Sequence, residues 1–266
     1  MKAHVEGMRS MNYFIAYCID MEKHAADADV RMKCRGYVEL LTPVSKAYCS
    51  DKGFEVCSLA MDVYGGYGYC QDYPIEQYLR DVKIATIYEG TNAIQSADLV
   101  GRKLKMSNGA YVRNMLSDMK DTIRRCMEDP TLKDHVDIFD GAVSALEDVV
   151  EQFSIWSNGA KFLLPILNAR PFLMVLGDAV VGWRLLDAAI TAKGKIDSLS
   201  AGKTDGSTEQ ILELGKSSGE VAFYLGKIAS ARYFSSNVLS TVEGRCRAIK
   251  LGDMTPLEVL EESLCT

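Results

Sequence analysis

The residues of this 266-residue chain that could do chemistry gather between Asp62 and Gln95, in DVYGGYGYCQDYPIEQYLRDVKIATIYEGTNAIQ. Glu89 stands between Ile87-Tyr88 and Gly90-Thr91, with no lysine or arginine within five residues. A carboxylate kept from water by such neighbours holds a proton more readily and can act as a general base near neutrality. The same residue would serve as a solvated glutamate ahead of a helix capped by Thr91 or Asn92. Gly65, Gly66 and Gly68 mark a turn that needs positive φ, or a backbone lying close against a ligand or a neighbouring helix. Arg80-Asp81 reads as a pair tying loop to helix by hydrogen bonds.

The string IYEGTNAIQ, preceded by GGYGY, YPIEQYLRD and LLTPVSKAYCSDKGFEV, resembles the C-terminal helical domain of the flavin-dependent acyl-CoA dehydrogenases. Gly66 and Glu89 lie twenty-three positions apart, the spacing that family has between its glycine turn and its catalytic glutamate. The resemblance implies an all-α fold, with a four-helix-bundle-like domain over residues 1–107. It also implies that Glu89 takes the α-proton of an acyl-CoA thioester, with Tyr88 and Gly90 at the substrate. The Glu89 amide would donate to the thioester oxygen and the product would be a 2-enoyl-CoA. FAD is the implied cofactor, with Thr91 and Asn92 near the base. Asp62, Gly65 and Gly66 would border the adenine side of a neighbouring subunit's flavin, which makes a homo-oligomer the expectation. Electrons would pass to an electron-transferring flavoprotein. Most relatives carry glutamine where Asp62 stands, and a carboxylate beside a pyrophosphate is unfavourable unless paired or protonated.

Residues 168–193, NARPFLMVLGDAVVGWRLLDAAITAK, resemble the extra C-terminal helical domain of one branch of the same enzymes, so residues 108–266 are expected to form a second helical bundle. The N-terminal helical domain, the middle β-domain and the arginine-phenylalanine-glycine flavin motif of that family are missing. The expectation is the C-terminal half of a dehydrogenase with an incomplete FAD site. A catalytically inactive helical assembly fragment and a part of an acyl-CoA oxidase are the alternatives.

Helical spacing of Met8, Met11, Ile15 and Cys18 predicts a helix over 3–26, followed by the exposed crossing KHAADADVRMKCR. Thr42-Pro43 reads as an N-cap and first helical residue, opening a helix that stops at Gly65-Gly66 with Val56, Leu59, Ala60 and Val63 on its inner face. Lys46 on that helix reads as a solvated or pairing lysine rather than an active-site cation. Tyr73-Pro74 opens a short helix through Leu79. A further helix runs from Thr91 to Leu104 with Ile94, Leu99 and Val100 inward, and Ser107-Asn108-Gly109 ends it. Tyr13, Tyr17 and Tyr88 are candidates for an acyl-pocket wall and equally for core aromatics.

Beyond residue 110 about five helices are expected, with faces at Leu146/Val149/Val150/Phe153, Val181/Leu185/Ala188/Ala189 and Val221/Tyr224/Leu225/Ile228. GKIDSLSAGKTDGS reads as a flexible linker, and Ser207/Gln210 and Thr255-Pro256/Glu258 as capping boxes. Gly177 and Gly182 would let helices approach closely, and Trp183 reads as a core or interface residue.

Composition narrows the partners. The chain has 30 basic against 36 acidic residues, a net charge of −6, and only short basic pieces, which argues against nucleic acid. Eight cysteines without a CxxC pair, and a start without an apolar leader, point to a reduced cytoplasmic protein with buried structural thiols. Three scattered histidines offer no metal site, and no apolar run is long enough to span a membrane.

Overall fold

The computed structural model describes residues 1–127 and 129–265, and these are helical without a strand, as expected. Helix α1 (Lys2–His24) turns through three residues into α2 (Ala28–Tyr64), whose first N–H groups are capped when the Asp27 side chain accepts from the Asp29 amide at 2.8 Å. Met8, Met11, Ile15 and Cys18 are buried on α1 at the spacing expected. The predicted crossing is shorter than the sequence suggested, because α2 begins at Ala28 and already buries Cys34.

The predicted helix start at Thr42-Pro43 is wrong, since both residues lie inside α2. Interior proline costs roughly 3 kcal/mol through its missing N–H and its clash with the preceding turn. Tyr37, Leu40 and Leu41 before Pro43, and Val44, Ala47 and Tyr48 after it, continue one buried stripe at helical spacing. Their shared burial outweighs the local break, and Thr42 donates its hydroxyl to the Val38 carbonyl at 2.6 Å.

At its far end α2 enters a 3-10 turn, Gly65–Tyr69, and α3 (Ile75–Ile84) returns along it with Val82 opposite Gly53 and the Lys83 ammonium 5.0 Å from the Phe54 ring centre. The face expected to point inward here does not: Leu59 is 49% and Val63 74% exposed. Helix α4 (Asn92–Gly101) is capped by Thr91 and buries Leu99 and Val100, while Ile94 is 60% exposed rather than inward. Helix α4 ends at Gly101, short of the expected Leu104, and a 3-10 stretch, Lys103–Gly109, follows; Ser107, Asn108 and Gly109 at its end all have left-handed φ (51°, 53° and 75°).

Among the described residues seven α-helices follow instead of about five: α5 (Ala110–Cys126), α6 (Lys133–Ser157), the single turn α7 (Leu164–Leu167), α8 (Ala169–Ser200), α9 (Thr208–Ser217), α10 (Gly219–Asn237) and α11 (Val242–Lys250). The first half of the expected linker continues α8 to Ser200, leaving residues 201–207 as the connection. Ser207 caps α9 by accepting from the Gln210 amide at 3.4 Å, but the Gln210 side chain reaches past it to Asp205. Thr255 opens only a 3-10 turn, Thr255–Leu257, and its hydroxyl donates to Asp253, so no capping box forms there.

Helix α8 is the axis of the molecule. From Val175 to Trp183 every residue is buried, because α1, α2, α4, α5, α6, α10 and α11 all pack around it. Gly177 and Gly182 permit the closest approaches, as predicted: a Cβ at Gly177 would lie 2.2 Å from the Tyr48 ring, and one at Gly182 would lie 2.6 Å from Leu239. Trp183 is a core residue, edge-on to Phe14 and donating from Nε1 to the Thr122 hydroxyl at 2.8 Å. The hydrophobic core runs through both halves of the chain without a break.

Of the cysteines, Cys18, Cys34, Cys126 and Cys246 are buried, and burial pushes the Cys126 and Cys246 thiols up to about 11. Cys70 is exposed, against expectation, because it follows the outward glycine turn; the Cys265 side chain lies outside the described residues. No helix among the described residues is long and apolar enough to cross a membrane.

Two measurements check this packing. Gly177→Ala is expected to lower the unfolding free energy by roughly 1–3 kcal/mol through overpacking against Tyr48, whereas Gly194→Ala, with nothing within 4 Å of a new Cβ in α8, is expected to raise it by up to about 1 kcal/mol. Urea unfolding of the two variants reads both. Glu6 joins α1 to α10: burial acts to raise its carboxyl pKa, but donors from Lys2, Ser230 and Lys227 outweigh that and lower it from 4.5 to about 2. Its stabilisation is present above the unfolded value and lost as pH falls through the folded one. The stability difference between wild type and Glu6→Gln should therefore be full near neutrality and close between about pH 4.5 and pH 2.

Candidate functional site

Past α3 the backbone climbs through successive turns, with the amides of Thr86, Ile87 and Tyr88 donating to the carbonyls of Lys83, Ile84 and Ile84. Two left-handed residues then follow in sequence, Glu89 at φ 55° and Gly90 at φ 82°. Glycine adopts this conformation freely, but a glutamate pays roughly 1–2 kcal/mol for it. Strain of that size persists only where neighbours over-determine the backbone.

The neighbours here come from three directions. Gln95 on α4 donates Nε2 to the Glu89 carbonyl at 3.1 Å. Lys46 on α2 donates Nζ to the Gly90 carbonyl at 2.7 Å and to Asn92 Oδ1 at 2.8 Å. The Asn92 amide N–H closes the turn on the Thr86 carbonyl at 3.1 Å. Asn92 is 3% exposed, and its Nδ2 donates to the Ala47 carbonyl at 3.2 Å and to the Ser50 hydroxyl at 2.9 Å. Thr91 faces the other way and caps α4, accepting from the Ile94 amide at 3.4 Å.

Held in this way, the Glu89 side chain projects outward and is exposed. The water-poor setting expected for it is not made by this chain's own atoms. Its apolar neighbours point outward with it: Ile87 is 52%, Tyr88 52% and Ile94 60% exposed. Apolar residues adjacent in sequence to a left-handed turn share its exposure rather than burying it. The Glu89 amide N–H has no acceptor among the described residues, so the turn presents a carboxylate and a free donor together.

The other candidates distribute differently. Asp62, Gly65 and Gly66 are exposed at the far end of α2, sixteen residues beyond Lys46 and hence roughly 24 Å along the helix axis. Gly65 has φ 61°, and a Cβ at either glycine would meet nothing within 4 Å, so the backbone there is open to close approach. The structure thus does not bring the glycine turn to Glu89. The Asn92 carboxamide is bonded inside the protein to Lys46, Ala47 and Ser50 of α2. Arg80 pairs with Glu76 one turn back on α3 at 2.9 Å, so Arg80-Asp81 does not tie loop to helix as expected. Tyr13 and Tyr17, at 71% and 55% exposure, are not core aromatics.

Lys46 and Gln95 are the residues that sequence reasoning missed. A glutamine six positions past a glutamate carries no local signal. Lys46 reads from sequence as a solvated or pairing lysine, yet it reaches forty-four residues away to the Gly90 carbonyl.

Two family models match the chain, one described as acyl-CoA dehydrogenase, C-terminal domain, over residues 1–104, and one as acetyl-CoA dehydrogenase C-terminal like, over residues 115–259. The chain belongs to the acyl-CoA dehydrogenase family. It is 30% identical over 263 residues to a butyryl-CoA dehydrogenase of Syntrophomonas wolfei subsp. wolfei, covering 99% of this chain and 40% of that protein. Its fold is similar to that of ACDH-11 of Caenorhabditis elegans in complex with C11-CoA, with a TM-score of 0.65 and 17% identity over 93% of this chain and 37% of that one. It is also similar to an acyl-CoA dehydrogenase of Bacillus anthracis complexed with FAD, with a TM-score of 0.57 and 15% identity over 94% and 44%. The chain therefore spans about 40% of the length of the curated relatives it matches.

The two kinds of glycine are separable by stability. Gly90→Ala places a Cβ on a left-handed backbone and is expected to cost about 1 kcal/mol or more, while Gly66→Ala, at ordinary φ with open space around it, should change stability by less than about 0.5 kcal/mol. Denaturant titration of both variants checks the difference.

Proposed function

We propose that this chain supplies the proton-abstracting base of a flavin-dependent acyl-CoA dehydrogenase, with Glu89 as that base. The observation that carries the reading is the Glu89-Gly90 turn: a carboxylate and an unpartnered amide presented together on a left-handed backbone that side chains of α2 and α4 hold. Glu89 accepts the proton from the carbon next to the thioester carbonyl, and its amide N–H donates to the carbonyl oxygen as negative charge gathers there. The chemistry a bound FAD would supply is a hydride acceptor for the β-hydrogen, which would balance the α-proton taken by Glu89 and leave a 2-enoyl-CoA. Tyr88 and Gly90 flank the substrate, and Ile87 and Ile94 contribute apolar surface around it.

The chain's own residues suit a flavin in part. Gly65 and Gly66 offer backbone without side chains for close approach, and Thr91 stands beside the base. Asp62 adds an exposed negative charge near the expected pyrophosphate, which works against binding unless a cation joins it. Glu89 itself lies exposed, so drying of its carboxylate falls to surface contributed from beyond these residues. Ile84, Ile87, Tyr88 and Ile94, exposed on α3, the turn and α4, are the apolar side chains such a cover would bury. Binding near Gly65 by a flavin of another copy makes the working enzyme a homo-oligomer, with an electron-transferring flavoprotein as electron acceptor.

Two outcomes are expected. The chain purified alone should retain no stoichiometric flavin absorbance. Combined with a flavin-bearing portion of a relative, it should support acyl-CoA-dependent dye reduction that falls roughly 10²–10⁴-fold in Glu89→Gln. Undiminished dye reduction in that variant removes Glu89 from the mechanism, and peroxide production in air would assign an oxidase instead.

A further inference from the structure

We infer that Lys46 is a positioning residue for Glu89: its ammonium, reaching across from α2, orients the Gly90 peptide and so fixes the direction in which the Glu89 carboxylate and amide face. The inference rests on the reading of Glu89 as the base and adds to it the group that aims it.

Three observations carry it. Lys46 donates to two neutral acceptors, the Gly90 carbonyl at 2.7 Å and Asn92 Oδ1 at 2.8 Å, and forms no ion pair among the described residues. Lysines elsewhere in this chain that make side-chain bonds, such as Lys2, Lys52, Lys216, Lys227 and Lys250, reach a carboxylate. Ordering a long, flexible ammonium onto a carbonyl therefore serves the carbonyl, since a carboxylate partner would hold the charge better.

The second observation is where the bond falls. The Glu89 carbonyl is held by Gln95 and the Gly90 carbonyl by Lys46, so the peptide planes on both sides of Gly90 are each fixed by one side-chain donor. Removing either frees a left-handed pair to relax toward ordinary φ, turning the Glu89 side chain and amide with it.

The third is the base from which Lys46 reaches. Ala47 and Ser50, on the same turn of α2, bond Asn92 from below. Tyr48, on the opposite side of that turn, is fully buried and donates its hydroxyl to Asp178 on α8 at 2.6 Å, and Asp178 pairs with Arg245 on α11 at 2.5 Å. The segment carrying Lys46 is thereby fixed against α8, and the lysine spans from that fixed helix to the exposed turn.

Two readouts test the inference. Amide hydrogen exchange on the chain alone is expected to speed up at Asn92, whose N–H is bonded to the Thr86 carbonyl, by at least about tenfold in Lys46→Met, with the melting transition retained, and to return toward wild type in Lys46→Arg, which keeps a donor. In the assembly with a flavin-bearing portion, Lys46→Met should lower kcat by roughly 10–100-fold, the scale of a misplacement near 1 Å. The KM for acyl-CoA should change far less, and Lys46→Arg should recover much of kcat. Unchanged exchange at Asn92 in Lys46→Met overturns the inference whatever the activity does, as does a kcat equal to wild type. Faster exchange with Glu89→Gln fully active would leave the brace standing and overturn the reading of Glu89 as the base.

Discussion

One contact sets the geometry of the molecule: the absence of a side chain at Gly177 lets α8 come down onto the Tyr48 ring of α2, where a Cβ would stand 2.2 Å from it. The Tyr48 hydroxyl then reaches Asp178, a carboxylate only 1% exposed, and Arg245 pairs with its other oxygen. Burying charge is costly unless it is paired and hydrogen-bonded, and here both conditions hold. Because Lys46, Ala47 and Ser50 share the turn of α2 that carries Tyr48, the same contact that builds the core fixes the platform beneath the Glu89 turn. The C-terminal helices and the candidate base are thus parts of one packed unit.

The exposed side of the molecule has a different logic. Leu59, Val63, Tyr64, Tyr67, Tyr69, Ile84, Ile87 and Tyr88 are all exposed, on the far half of α2, the glycine turn, α3 and the loop beyond it. Large apolar side chains in such numbers on one segment mark a surface that is covered in use. Under the proposal that Glu89 is the base, its carboxylate would acquire a dry environment only with such a cover, and the turn held by Lys46 and Gln95 would be one component of a shared site.

Much of this could be read from residues alone, and the failures have identifiable causes. The all-helical fold, the buried face of α1, the left-handed break at Ser107-Asn108-Gly109 and the close approaches at Gly177 and Gly182 were legible because each depends on local spacing or on a residue type with few uses. Thr42-Pro43 misled because a local start signal was weighed above a buried stripe from Tyr37 to Tyr48 that ran straight through it. Leu59, Val63 and Ile94 misled because periodicity names an apolar face without naming what covers it. For Glu89, apolar neighbours in sequence allow a dry or a solvated carboxylate equally, and the left-handed backbone, which carries them all outward together, makes it exposed. The bond between Asn92 and Lys46 had no signal in the sequence, since the two lie more than forty positions apart and only the packing of α2 against the loop brings them together.

The central claim is that Glu89 removes the α-proton of a thioester, and proton removal can be measured apart from oxidation. An acyl-CoA with sulfur in place of the β-carbon has no β-hydrogen to lose as hydride, so exchange of its α-hydrogens with D2O in the flavin-containing assembly reports the base alone. The account predicts enzyme-dependent deuterium incorporation at that carbon in wild type and its loss in Glu89→Gln. Incorporation at the wild-type rate in Glu89→Gln would contradict it.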